Sequence, residues 1–222
     1  MSDVRYPLRE RRKRRTRAAL VDAGRELFGR NGFAATTMEQ IAGQADVHVQ
    51  TLYRHFPSKE ALALAPERER FEGFRKQVED PERNVGTLTL WRTWVEAWAR
   101  EVSEQRREGF LARARDRERT PSLAVAQLRL WHDYEDLLTA MLARDVGCDP
   151  EQDRLPRLVA CMLWGGNHAA LRGWVAADGR GDLVGEVLGV IDEVAARFGG
   201  LLGPAALAAG GAGRRAASRS AG

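Results

Sequence analysis

Between Thr36 and Lys59 the chain gathers side chains suited to hydrogen-bonding a polyanion: Thr36, Thr37, His48, Gln50, Thr51, Tyr53, Arg54, His55 and Lys59. The Gln50 amide and the Thr51 hydroxyl suit base edges. Tyr53, His55 and Lys59 suit phosphate oxygens. Just upstream, Arg9 to Arg17 forms a basic arm containing Arg12, Arg14 and Arg15. This is the chemistry of nucleic-acid recognition, and the patterns of catalysis are missing. The chain has no Gly-x-Ser-x-Gly elbow, no phosphate loop and no His-Glu-x-x-His. Gly179-x-Gly181 falls between two helical runs rather than after a strand, so it is no dinucleotide motif. Cys161, His168 and His132 are too sparse a set for a metal site, and nothing beside Cys148 or Cys161 marks a low-pKa thiol. The chain reads as a binding protein, not an enzyme, with no cofactor and no metal.

These side chains need elements to hold them, and almost every segment reads as helix, with no sustained alternation of a strand. A first helix is expected to start between Arg9 and Thr16 and to run to Arg30, stopped by Asn31-Gly32. Two capping-box patterns overlap next, Thr36 with Glu39 and Thr37 with Gln40. They open a short helix that runs to about Gln44. A tight turn at Asp46-Val47 leads to a second short helix, His48 to Phe56, and Ser58 caps another. Leu52 and Phe56 face a small three-helix core, which leaves His48, Val49, Gln50, Thr51, Tyr53, Arg54 and His55 mostly on outer faces. Pro66 then interrupts a helical run, so a kink or break is expected there.

Further on, Asp80–Asn84 is a loop, and helices are expected at Thr87–Val102, Ser122–Asp145, Leu155–Ala177 and Leu183–Phe198. The Gly/Ala-rich end from 201 to 222 reads as a disordered tail. The division expected is an arm and DNA-binding domain at 1–60, a helical ligand-binding and dimerisation domain at 61–200, and the tail. The fold class is all-α.

Charge supports the same division. Residues 1–60 hold twelve Lys/Arg against seven Asp/Glu, a balance of +5, while the whole chain carries +4. A basic first quarter on a near-neutral body is a footprint for a polyanion at one end. Two cysteines give no disulfide framework. No signal peptide pattern and no apolar run of membrane length are visible, so a soluble cytoplasmic protein without a membrane partner is expected.

The run from Ala45 to Leu62, with Thr-Leu-Tyr-x-His-Phe-x-Ser-Lys-Glu at its centre, resembles the TetR family of bacterial repressors; Gly32-Phe33 and Thr36-Thr37 lie upstream at the expected spacing. The resemblance covers about the first quarter of the chain. It implies that the second short helix enters the major groove, with Val49, Gln50 and Thr51 at bases and Thr37, Tyr53, His55 and Lys59 at phosphates. Three departures stand out. Asp46 replaces the usual turn glycine, His48 replaces a serine-like cap (weaker capping, but a pH-dependent phosphate contact), and Pro66 lies in the linking helix. By resemblance, the arm touches phosphates or the minor groove.

The resemblance also implies a C-terminal domain whose last two helices pair with a second copy. Gly165, Gly166, Ala169 and Ala170 would permit close approach. Such a homodimer predicts a palindromic double-stranded operator. Trp91, Trp94, Trp98, Trp131, Trp164 and Tyr134, with Met162, Asn167 and His168, form a candidate lining for a hydrophobic or aromatic effector of unidentified structure; for any single tryptophan a packed core is the commoner role. The function expected is a ligand-released repressor. A helical adaptor whose arm binds polyanions without sequence preference is the rival.

Overall fold

The computed structural model describes residues 5–80 and 82–207. Among them the regular elements are all helical: α1 Arg5–Asn31, α2 Met38–Gln44, α3 Val49–His55, α4 Lys59–Ala63, α5 Ala65–Val78, α6 Thr87–Arg100, α7 Arg107–Arg119, α8 Pro121–Val146, α9 Leu155–Ala176 and α10 Leu183–Leu207. A π-helical turn, Glu101–Gln105, continues α6. The chain forms two compact units, each made of two stretches. One joins the chain up to Glu72 with Glu108–Leu130; the other joins Gly73–Arg107 with the chain from Trp131 onward.

The first unit is the candidate reading head. Leu20, Ile41, Leu52, Phe56 and Leu62 are buried together, and Leu123 of α8 completes the cluster. Helices α1 and α4 approach so closely at Gly24 that a Cβ there would lie 2.2 Å from Leu62 Cδ2. The helix starts follow their caps. Thr37 and Gln40 form the reciprocal capping box of α2, and the Ser58 hydroxyl accepts the Ala61 N–H at 3.1 Å at the start of α4. His48 also caps, its Nδ1 accepting the Gln50 N–H at 3.2 Å. An imidazole nitrogen therefore stands where a serine hydroxyl would accept. Asp46 takes the left-handed conformation, φ 53°, in the α2–α3 turn. The chain breaks at Leu64, and Pro66 sits in the first turn of α5, where its missing N–H costs nothing.

Two boundaries differ from expectation. Helix α1 begins at Arg5, so the basic arm is helical from there on. Helix α10 runs through 201–207, bent at Gly203 (φ 74°), so those residues are not tail; residues 208–222 lie outside the described set.

In the second unit α10 packs against α6 and α9. The α6 N-terminus lacks a side-chain cap of its own, and Asp145 at the end of α8 supplies one. Its Oδ2 accepts the Thr87 N–H at 2.7 Å and the Thr87 hydroxyl at 2.6 Å. Its Oδ1 pairs with Arg83 at 3.1 Å, and both side chains are buried.

Candidate nucleic-acid interface and effector-domain residues

On α3, Gln50, Tyr53 and Arg54 are exposed and lie three and four residues apart, so they share one face. Leu52 on the opposite face is fully buried and fixes the helix to the head. Arg54 donates to the Thr51 hydroxyl at 3.3 Å. Val49 is only half-buried and packs on the head's core, so it offers part of its side chain. His48 is exposed at the α3 N-terminus; with Nδ1 accepting, its Nε2–H is left to donate outward. His55 is half-buried beside the Phe56 ring. Burial first, then the charges of Arg54, Arg17 and Lys13, hold its pKa below the usual histidine range. Thr37, besides capping α2, is exposed.

Two of the predicted contacts are corrected. Thr36 is fully buried, and its hydroxyl donates to Gly32 O at 2.8 Å and Leu27 O at 3.3 Å, closing the end of α1. It has no surface to offer DNA. Lys59 points its ammonium at the α1–α2 loop, donating to Phe33 O at 2.7 Å and Thr36 O at 2.8 Å. Its charge is turned inward, where the sequence motif suggested a phosphate.

Arg12, Arg14 and Arg15 are exposed on the N-terminal extension of α1. The extension is anchored at Arg17, whose guanidinium lies 4.3 Å over the Phe56 ring and pairs with Glu69 at 3.2 Å. A helix about 10–12 Å across does not enter a minor groove about 6 Å wide, so the helical arm suits the phosphate ridge instead.

In the second unit Phe74, Trp91, Trp94, Tyr134 and Trp164 form one aromatic cluster. Tyr134 stacks on Trp164 at 4.5 Å, and Trp91 stacks on Trp94 at 5.3 Å. Phe74 was missed in the sequence, because nothing there ties α5 to the α6 tryptophans; Trp164, one of the five tryptophans of the candidate lining, does pack against Trp91 and Tyr134. Trp91 and Asn167 prove structural. Trp91 is fully buried and donates to Asn167 Oδ1 at 3.0 Å; the Asn167 amide donates to Val187 O at 2.7 Å. That bridge ties α6, α9 and α10, and it commits the amide expected to anchor a ligand. Trp131 packs against His168 at 4.0 Å, and Trp98 is half-buried on α6. Met162 is exposed, on the α9 face that carries Leu158, Gly165 and Ala169. The glycines divide: a Cβ on Gly166 would meet Val190 Cγ1 at 2.5 Å, whereas Gly165 has open space before it. Gly166 serves the packing of α9 on α10, and Gly165 faces outward. The thiols are unactivated. Burial, then acidic neighbours, raise both the Cys148 and the Cys161 pKa.

Comparison with known proteins joins these observations. A family profile described as "Bacterial regulatory proteins, tetR family" matches residues 20–65, and the "MftR C-terminal domain" profile matches residues 86–199. The HTH-type transcriptional regulator TcmR of Streptomyces glaucescens is 33% identical over 172 residues, 75% of this chain and 76% of that protein. In fold, the chain is similar to SmeT of Stenotrophomonas maltophilia in its triclosan complex, with a TM-score of 0.62 and 24% identity over 82% of this chain and 90% of that one. It is likewise similar to FadR of Bacillus subtilis in complex with stearoyl-CoA, with a TM-score of 0.58 and 20% identity over 80% of this chain and 96% of that one. A three-helix head carrying an exposed polar face on α3, a second helical unit, and a relative alike over three quarters of the length agree: the chain belongs to the TetR family of DNA-binding transcriptional regulators.

Proposed function

We propose that the protein is an operator-binding repressor, a homodimer that reads a palindrome through α3 and releases it when a hydrophobic, aromatic-compatible effector enters the second unit. The observation that carries the reading is the α3 face, on which Gln50, Tyr53 and Arg54 are exposed above a packed head. Gln50 and Thr51, with part of Val49, meet base edges; Thr37, His48, Tyr53, Arg54 and His55 hold phosphates. The arm adds phosphate contacts through Arg12, Arg14 and Arg15. All three side chains are exposed, so their charges are open to a phosphate backbone.

Dimerisation falls to the outward faces of α9 and α10. Leu158, Met162, Gly165 and Ala169 are exposed on α9, and Gly189, Ala196 and Gly200 on α10. Small residues let helices of two copies approach closely, and the exposed Leu158 and Met162 supply apolar area. The effector reading rests on Trp94, Tyr134 and Trp164. The buried Trp164 Nε1–H has no acceptor among the described residues, which leaves a donor for a ligand oxygen. Trp98, Trp131 and His168 complete the aromatic set on the same unit. SmeT was solved with triclosan and FadR with stearoyl-CoA, so an aryl ether and a long-chain acyl thioester are the first probes.

The experiment forms the complex on a duplex selected by the protein from a random library, then adds either probe. Release of DNA together with quenched tryptophan emission, both weakened in Trp164→Phe, is the expected result. Full retention of the complex with unchanged emission for both probes counts against an effector seated among these rings. The adaptor reading is favoured by one observation, the density of cations on the arm. It predicts that no common sequence is selected.

A further inference from the structure

Phe33 lies between the end of α1 and the start of α2, and its peptide is gripped from both sides. The Lys59 ammonium donates to Phe33 O at 2.7 Å, Thr36 O at 2.8 Å and Ala34 O at 3.4 Å, and lies 4.4 Å over the Phe33 ring. An ammonium has three donors, and three carbonyls surround this one. From the other direction Asp116 Oδ2 accepts the Phe33 N–H at 3.3 Å. Asp116 belongs to α7, within the stretch matched by the C-terminal family profile, yet α7 packs in the same compact unit as the reading head. Further ties join the same parts: Arg117 of α7 pairs with Glu67 of α5 at 3.4 Å, and Ser122 of α8 donates to Glu60 of α4 at 2.8 Å. Helix α8 is continuous from these contacts to Tyr134 in the aromatic cluster of the second unit.

We propose that Lys59 and Asp116 are positioning residues that set the α1–α2 loop, and through it the orientation of the α2–α3 pair. The inference rests on the operator-binding reading above. Neither side chain touches DNA in this arrangement. Lys59 spends its donors on carbonyls, and Asp116 is an acid whose removal would by charge alone strengthen binding to a polyanion.

The test uses the full-length protein and a duplex it selects from a random library. Binding of Lys59→Met, Asp116→Ala and the double variant is measured across a salt series at a temperature well below each melting point. Each single variant is expected to lose about tenfold in affinity for the selected duplex and little for a scrambled one, with the salt slope unchanged. The double variant should lose no more than the weaker single, because both grips act on one loop. Asp116→Asn, which keeps an acceptor for the Phe33 N–H, should restore most of the loss. A slope reduced by about one unit in Lys59→Met would make it a phosphate contact, and tighter binding by Asp116→Ala would make that residue a repulsive charge; either overturns the proposal. Amide exchange in free protein supplies a readout independent of DNA. Faster exchange at Phe33 and along α2 in Asp116→Ala is expected, and unchanged exchange overturns the grip. Selection of no sequence by the native protein would instead overturn the operator reading.

Discussion

At the scale of single residues, the α2–α3 turn shows how far sequence chemistry reaches. Asp46 stands where a glycine is expected and takes φ 53°. That was legible because a tight turn between two short helices demands a left-handed residue, and aspartate tolerates it better than most. Asp46→Gly should therefore relieve about 1 kcal/mol of strain, raise the melting temperature by about 2–4 °C and, by removing an acid from the head, tighten DNA binding. Melting curves and fluorescence anisotropy read the two effects separately. His55 gives the pH dependence. Its folded pKa is lowered, by burial first and then by Arg54, Arg17 and Lys13, so the folded ring binds a proton less readily than the unfolded one. Stability then rises with pH up to about 6.5 and is flat above, and acidification through that window costs stability. Comparing melting temperature against pH for the native protein and His55→Gln checks it: the native curve should fall more steeply below about pH 6.5. Lys59 and Thr36 were not legible in the same way. Their residue types suit phosphate, and only the fold shows that backbone carbonyls take their hydrogen bonds first.

At the scale of elements, boundaries that carry a local signal were legible and those without one were not. Thr37, His48 and Ser58 cap α2, α3 and α4, because a cap is a local contact written within four residues. The start of α1 at Arg5 was hidden, since a run of like charges without a cap gives no boundary signal. The cap of α6 was equally hidden, because its acceptor, Asp145, comes from α8, 58 residues along the chain. That carboxylate holds two donors of Thr87 and a buried Arg83 at once. Asp145→Ala should destabilise the second unit by about 3–5 kcal/mol, because it leaves the arginine buried without its counter-charge. Replacing both partners, Arg83→Met with Asp145→Leu, should cost less than Asp145→Ala alone. Chemical denaturation followed by tryptophan emission reports both, and equal losses in the two variants would mean that the ion pair contributes nothing beyond packing.

At the scale of the whole molecule, the family and the helical class were legible from one motif and the periodicity of the rest. The way in which the chain divides was not. The head recruits Glu108–Leu130 from far along the sequence, a placement that no linear boundary expresses. The aromatic residues illustrate the same limit. Their abundance was visible, but whether a given ring faces a core, a ligand or a second copy depends on helix phase and neighbours; Trp91 went to the core and Met162 to the surface. The proposed reading rests on the exposed polar face of α3 and the basic helical arm, with the exposed faces of α9 and α10 as the proposed contact with a second copy. On the proposed reading, the α3 face reads base sequence. The most direct measurement is fluorescence anisotropy on the duplex selected by the protein, across a salt series, with Gln50→Ala and Tyr53→Ala beside the native chain. One dimer per palindrome is expected, with Gln50→Ala relaxing base preference and Tyr53→Ala weakening all sequences alike. Sequence-indifferent binding unmoved by either substitution, and lost when Arg12, Arg14 and Arg15 are neutralised, would contradict that reading.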